Sequence, residues 1–140
     1  MQENLYNMIA DYMEKGFLDN IIDMFKYDPE IHPVAQRLVG DERMRVRLGA
    51  IALLETLSET AFVHLNEIAD SIIPLLKSEN TLVRGDAAYS LGIIGSDRHI
   101  PQLQGLLNDE TPDVVESAMD SIEAIHNRTR CLEPEERPEA

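Results

Sequence analysis

The sequence is poor in cysteine, aromatic residues and basic residues. Cys131 is the only cysteine among 140 residues, which excludes an internal disulfide and a zinc site built on thiolates. Tryptophan is absent and aromatic residues make up 5% of the chain, so the core must come from aliphatic side chains and methionine. With 12 basic and 26 acidic residues, the formal charge is −14, which argues against a general affinity for nucleic-acid phosphates.

Long hydrophobic runs are also missing. No apolar stretch approaches the ~18 residues that a membrane span needs, and residues 1–16 lack the basic region and apolar run of a signal peptide. We therefore expect a protein of the reducing cytoplasm. Residues 101–140 carry ten acids and three arginines, which is half of the net charge. The end of this segment, residues 129–140, has two prolines and four glutamates and is predicted to be a disordered acidic tail.

The chain repeats internally. Residues 75–84 align with residues 106–115 at an offset of 31, and residues 38–47 align with residues 75–84 at an offset of 37. Each copy predicts a short first helix and a longer second helix whose apolar residues recur at i, i+4, i+8 and i+11. The predicted first helices are residues 34–39, 67–76 and 100–107. The apolar positions of the second helices are Val46, Ala50, Leu54 and Leu57; Val83, Ala87, Leu91 and Ile94; and Val114, Ala118, Ile122 and Ile125.

Residues that favour helix ends fall between these segments. Asp41, Asn80 and Thr111 are predicted N-caps, and Gly16 and Gly95 are predicted to end helices. Two further helices, over residues 3–14 and 17–27, form an N-terminal hairpin. The sequence therefore predicts an all-α protein with about eight helices and no strands.

The segment Val83–Gly95, which reads Val-Arg-Gly-Asp-Ala-Ala-Tyr-Ser-Leu-Gly-Ile-Ile-Gly, resembles a HEAT repeat of the phycobilisome-lyase-like type. This resemblance implies a right-handed α-solenoid of helical hairpins, a superhelix of the HEAT or armadillo kind, as one domain over residues 1–128. The expected divisions are a degenerate capping hairpin, residues 1–32, and repeats at residues 33–65, 66–97 and 98–127.

The resemblance also implies a concave surface, lined by the second helices, that binds another macromolecule. It further implies a polar ladder between neighbouring units, with Asp41 pairing with Arg47 and Glu79 with Arg84. The third copy has Val115 where the other two have arginine.

Four acids on the last predicted helix are the most informative surface feature. The spacings of 3, 4 and 3 residues put them on one stripe opposite the apolar face. The stripe is either the solvated face of a terminal repeat or a docking site for a basic segment. Its members are Asp113, Glu116, Asp120 and Glu123. Equivalent positions in earlier copies include Leu48, Glu55 and Tyr89, and Tyr89 either anchors a partner or packs on the next repeat.

No other pattern predicts chemistry. Arg43, Arg45 and Arg47 do not share one helix side, so we expect them to pair with nearby acids. The tripeptide Arg84-Gly85-Asp86 spells an integrin-binding motif, but it falls in a predicted helix and is read as a chance occurrence. The histidines show no metal-binding spacing, and no nucleotide, nucleophile or metal motif is present. The sequence therefore predicts no metal, no cofactor and no catalytic residue.

The first functional hypothesis is a non-enzymatic scaffold or adaptor that binds a protein, particularly a basic segment, and neither nucleic acid nor membrane. The alternative implied by the resemblance is an accessory lyase-like, isomerase-like or chaperone-like protein that acts on a tetrapyrrole-bearing client, with Glu55, Tyr89 and Asp120 as conceivable groups. DNA binding would need a basic concave face. A homodimer is also possible, and its expected contacts are Leu5, Met8, Ile9 and Met13.

Overall fold

The computed structural model describes residues 2–131, and within that range it contains eight α-helices and no strand. The helices are α1 (Gln2–Glu14), α2 (Leu18–Tyr27), α3 (Pro33–Val39), α4 (Met44–Ser58), α5 (Leu65–Ile72), α6 (Thr81–Ile94), α7 (Ile100–Gly105) and α8 (Pro112–Cys131). Four 3₁₀ segments join or extend them, at Pro29–Ile31, Ile73–Lys77, Asp97–His99 and Leu106–Asn108. The predicted all-α fold is confirmed.

The helices pair as the repeat predicted, with α3, α5 and α7 as first helices and α4, α6 and α8 as second helices. The predicted apolar positions of the second helices, apart from Val83, lie in one continuous core that runs from α1 to α8, and Val83 is buried outside it. Of those twelve positions, eleven are buried and Ile122 is partly buried. Because each unit buries its apolar face only against its neighbours, the molecule is a helical solenoid.

The turn after α1 has the geometry that a glycine allows. Gly16 has φ +91, a left-handed conformation that other residues adopt reluctantly. Its amide donates to the carbonyl of Met13, and the amide of Phe17 donates to the carbonyl of Tyr12, which is the Schellman pattern. The predicted end of the first helix at Gly16 is therefore confirmed.

The predicted N-cap at Asn80 is confirmed, whereas the one at Asp41 is wrong. The Asn80 side chain accepts from the amide of Leu82 at the start of α6. Helix α4 begins at Met44 and its N-cap is Arg43, two residues after Asp41. The Asp41 carboxylate instead accepts from the Arg43 amide, so it closes the turn before the helix.

The predicted helix over residues 67–76 is shorter in the structure because of Pro74. Proline has no amide hydrogen, and its ring clashes with the preceding helical turn. Helix α5 accordingly ends at Ile72, and the chain continues as a 3₁₀ segment, Ile73–Lys77. The two predicted aliphatic residues at its end, Leu75 and Leu76, still pack against the core.

The two ends of the chain differ from the sequence-based expectation. Residues 129–131 belong to α8, so the prediction of disorder from residue 129 is wrong for these three; residues 132–140 lie outside the described range. In α1, Ile9 and Met13 are buried in the core and are not available for the expected dimer contact. A homodimer through this helix would have to use Leu5 and Met8.

The small residue at the centre of each second helix gives a first prediction. Ala87 is fully buried, so Ala87→Leu is expected to reduce the free energy of unfolding by about 1–3 kcal/mol through overpacking. The exposed Asp120 carries no such constraint, so Asp120→Ala is expected to change it by less than about 0.5 kcal/mol. Chemical denaturation of both variants checks the register, and equal losses would contradict it.

Candidate binding surface

The exposed face of the second helices carries the residues predicted to bind a partner. Leu48 and Glu55 on α4 and Tyr89 on α6 are exposed, with 53% of Leu48 and 45% of Tyr89 accessible to solvent. Leu48 and Tyr89 are large apolar or aromatic side chains. Both are exposed to solvent, although the opposite face of each of their helices is buried. These positions are therefore accessible to a partner.

The two glycines of α6, one turn before and one turn after Tyr89, differ in how closely α8 packs against them. Gly92 is buried, and a Cβ placed on it would lie 2.5 Å from the Ser121 hydroxyl oxygen and 3.0 Å from the Ser121 Cα. Gly85 is half-buried, and its nearest such contact is Val114 at 3.9 Å. Gly92 thus permits the close approach of α8 to α6 and does not open space around Tyr89.

The acidic stripe predicted on α8 is exposed along its whole length. Within the part of the chain that the structure describes, none of its four carboxylates forms an ion pair. Neighbouring like charges three and four residues apart destabilise a helix slightly, and here nothing in the described chain relieves that repulsion. The stripe consists of Asp113, Glu116, Asp120 and Glu123, all exposed.

Helix α8 is held on α6 by side chains that donate to backbone carbonyls. The Ser121 hydroxyl donates to the carbonyl of Ala88 at 2.7 Å. The Arg128 guanidinium donates to the carbonyls of Gly92 at 2.6 Å and Gly95 at 2.7 Å, which are at the C-terminal end of α6. Burial lowers the pKa of Arg128. The two carbonyls accept hydrogen bonds from its guanidinium at the C-terminal end of α6, where the helix dipole favours a cation. The acidic stripe therefore stands on a rigidly attached helix.

A polar ladder joins neighbouring units, but with other acids than those expected. Arg47 donates through Nε to Asp86 at 2.8 Å, and its Nη1 donates to the backbone carbonyl of Asp41, not to its carboxylate. Arg84 donates to both carboxylate oxygens of Asp109, at 2.9 and 3.2 Å. The expected pairs of Asp41 with Arg47 and Glu79 with Arg84 are therefore wrong. Each arginine donates both to backbone carbonyls in the turn of its own unit and to an acid of the following unit, so it bridges the two.

The electrostatics of these contacts favour ionised acids. The hydrogen bond from Arg84 lowers the pKa of Asp109, with help from the Thr111 amide. The Asp41 carboxylate, left free by Arg47, accepts from Arg43 and from the Tyr6 hydroxyl. Burial, followed by this hydrogen bond, raises the pKa of Tyr6.

Two arginines of the basic cluster, Arg43 and Arg47, pair with acids as predicted, whereas Arg45 bonds a backbone carbonyl instead. Arg43 pairs with Asp41 at 3.0 Å and with Asp11 at 3.2 Å, Arg45 donates to the carbonyl of Glu14, and Arg47 is buried. The integrin-type tripeptide lies in the first half of α6, and both of its charged side chains belong to the ladder. Neither feature presents a phosphate-binding or loop-recognition surface.

A serine, a histidine and an aspartate also come together at the junction of α5 and α7, although no catalytic motif predicted them. Nε2 of the buried His99 donates to the Asp70 carboxylate at 2.7 Å, and its Nδ1 accepts from the Ser96 backbone amide at 2.9 Å. Because that amide occupies the Nδ1 lone pair, His99 cannot take a proton from the Ser96 hydroxyl, which is 3.5 Å away. The histidine lowers the pKa of Asp70 and fastens two units together.

None of the helices in the described range is long and apolar enough to cross a membrane. No curated protein matches the chain. A family model of HEAT repeats matches residues 31–123, which is the region of the three helical pairs. Together with the stacked hairpins and their continuous core, this match shows that the chain belongs to the HEAT repeat family.

Proposed function

We propose that this protein is a non-enzymatic scaffold or adaptor that binds a protein partner through the exposed face of its second helices. HEAT repeats commonly mediate interactions between proteins, because stacked hairpins present an extended and rigid surface. The observation that carries the proposal is the acidic stripe of α8, whose charges are unpaired within the described chain although α8 itself is firmly attached. A reducing cytoplasmic location, expected from the single cysteine, is part of this proposal.

The chemistry of the stripe selects a basic partner. Its first and last carboxylates are ten residues apart on the helix, which corresponds to roughly 15 Å along the axis. A partner segment with lysines or arginines on one helical face, or on four to five extended residues, matches that length. The net charge of −14 would steer such a segment towards the protein. Tyr89 and Leu48 on the neighbouring helices would supply apolar contact beyond the charged end.

The stripe is tested with a variant that neutralises it. We expect Asp113→Asn, Glu116→Gln, Asp120→Asn and Glu123→Gln together to weaken the binding of a labelled peptide with four lysines at helical spacing about tenfold. Four exposed ion pairs at about 0.3–0.4 kcal/mol each amount to about 1.4 kcal/mol. Fluorescence anisotropy at physiological salt measures the affinity. Thermal unfolding should show no loss of stability, because removing the like charges relieves repulsion.

The matched control neutralises four exposed acids elsewhere on the chain, which are Asp19, Asp23, Glu59 and Glu79. This control variant changes the net charge by the same amount as the stripe variant. If the peptide binds at the stripe, the control variant should lose much less affinity for it. Equal weakening by both variants would mean that only long-range attraction is at work, and the stripe would then be a solvated cap.

The alternative function, on a tetrapyrrole-bearing client, has less support. It needs an apolar cavity that takes up the pigment, with acids placed inside it. Glu55, Tyr89 and Asp120 are all exposed, and a 670 Å³ cavity in the described range does not contain them; it is lined by residues of α1, α3 and the segment between α2 and α3. The phycobilisome-lyase-like subtype suggested by residues 83–95 stays a prediction, tested by whether an added bilin changes its visible spectrum.

A further inference from the structure

Each first helix begins directly after a histidine. His32, His64 and His99 are the N-cap residues of α3, α5 and α7. His99 is hydrogen-bonded to Asp70. The rings of the other two, His32 and His64, stack with their centroids 4.1 Å apart and their planes 17° from parallel. The two residues are far apart in sequence, so a short motif could not have predicted this pair; the stacking of successive units creates it.

Acids from two elements approach the stacked rings. Oε2 of Glu67 lies 3.0 Å from Nδ1 of His64, and Oε2 of Glu30 lies 3.8 Å from Nε2 of the same ring. One ligand atom from each of His32, His64 and Glu67 can be chosen so that all three lie within 4.8 Å of one another. In a tetrahedral zinc site with bonds of about 2.0–2.1 Å, ligand atoms are roughly 3.4 Å apart. The ligand atoms therefore have to move closer together, and one ring has to turn, before the group can hold an ion.

In its neutral form, His32 has the tautomer that a metal requires. Its Nδ1 lies 3.1 Å from the carbonyl oxygen of Pro29, which can only accept a hydrogen bond. The Nδ1 proton is therefore donated to that carbonyl, and in the neutral ring the lone pair of Nε2 is free. Metal-binding histidines are commonly oriented by such a hydrogen bond from the other ring nitrogen.

His64 is the ring that must move. The lone pairs of two nearly parallel imidazoles lie in separate planes, so both reach one ion only after one ring turns. His64 is held by Glu67, whose side chain is 55% exposed, whereas His32 is tied to the backbone. Turning His64 exchanges one hydrogen bond to Glu67 for coordination of the same cation by both side chains.

We propose that His32, His64 and Glu67 bind a divalent late first-row cation such as Zn²⁺, with water or Glu30 as the fourth ligand. Two imidazoles and a carboxylate suit zinc and its neighbours better than magnesium or calcium, which prefer oxygen ligands throughout. The bound ion clamps the start of α3 to the start of α5 and so fixes the angle between two consecutive units. This site is independent of the acidic stripe.

The test is a calorimetric titration of the full chain with ZnCl₂. We expect one ion per chain, with affinity reduced at least about tenfold in His64→Ala and in Glu67→Gln. The control is His126→Ala, since His126 is an exposed histidine on α8 and lies far along the chain from the cluster; its affinity should match the unaltered protein. Glu67 is exposed, so Glu67→Gln should fold normally, and far-ultraviolet circular dichroism verifies this.

A second measurement replaces zinc by Co²⁺, whose visible absorption is intense in four-coordinate sites. We expect that absorption in the unaltered chain and its loss in His32→Ala. The proposal is overturned if the unaltered chain binds Zn²⁺ more weakly than about 100 µM. It is also overturned if His126→Ala weakens binding as much as His64→Ala does, or if Glu67→Gln leaves the affinity unchanged.

Discussion

Replacing Arg47 by methionine is expected to lower the free energy of unfolding by about 3 kcal/mol. The Arg47 side chain is only 3% exposed and makes three hydrogen bonds, to the Asp86 carboxylate and to the carbonyls of Asp41 and Glu42. Methionine fills most of the volume but leaves a carboxylate and two carbonyls without their donor. The melting temperature should fall by roughly 4 °C for each kcal/mol lost in a chain of this size.

The neighbouring Arg45 supplies the control. It is exposed and donates a single hydrogen bond to the carbonyl of Glu14, so Arg45→Met should change stability by about 0.5 kcal/mol or less. Adding Asp86→Leu to Arg47→Met should recover part of the loss, because it removes the carboxylate that the first change leaves unpaired. Equal losses for Arg45→Met and Arg47→Met would show that the ladder does not stabilise the fold.

The second large effect is expected at Gly92. Gly92→Ala places a Cβ 2.5 Å from the Ser121 hydroxyl oxygen and 3.0 Å from its Cα, so backbone must shift where α6 and α8 meet. We expect stability to fall by about 2 kcal/mol, although alanine is the better helix former. Gly85→Ala has room at the same face, with Val114 at 3.9 Å, and should raise stability by about 0.5–1 kcal/mol.

The opposite signs at Gly85 and Gly92 make this comparison decisive, because the two positions lie two turns apart on one helix and undergo the same chemical change. Urea denaturation of both variants gives the difference directly. Two stabilised variants would mean that α8 lies farther from α6 than the structure has it.

The helical pairs could be predicted because their apolar residues recur with the helical period in three aligned copies. The inter-unit partners could not be predicted in the same way. Asp86 occupies a position where the aligned copies have Gly49 and Ser117, so comparing the repeats gives no reason to expect an acid there. Its role depends on how far one unit is displaced along the next, which local periodicity does not determine.

Of the two candidate sites, one could be predicted from helical spacing and the other could not. The acidic stripe depends only on helical spacing within α8, so the sequence was sufficient to place its members on one exposed face. The cluster of His32, His64 and Glu67 depends on two turns being brought together by packing. The sequence has one histidine before each first helix, but this pattern can be recognised only once the helix starts are known.

The attachment of α8 to α6 has a consequence for the mechanics of the array. The carbonyls of Ala88, Gly92 and the C-cap Gly95 of α6 accept from α8 side chains, and the contact at Gly92 has no room for a methyl group, so this joint resists bending. The joint between α4 and α6 packs through the shared apolar core, and among the described residues one side-chain hydrogen bond crosses it, from Arg47 to Asp86. A bound partner that alters the curvature of the molecule should therefore change the angle between α4 and α6, while α6 and α8 move together as one rigid body.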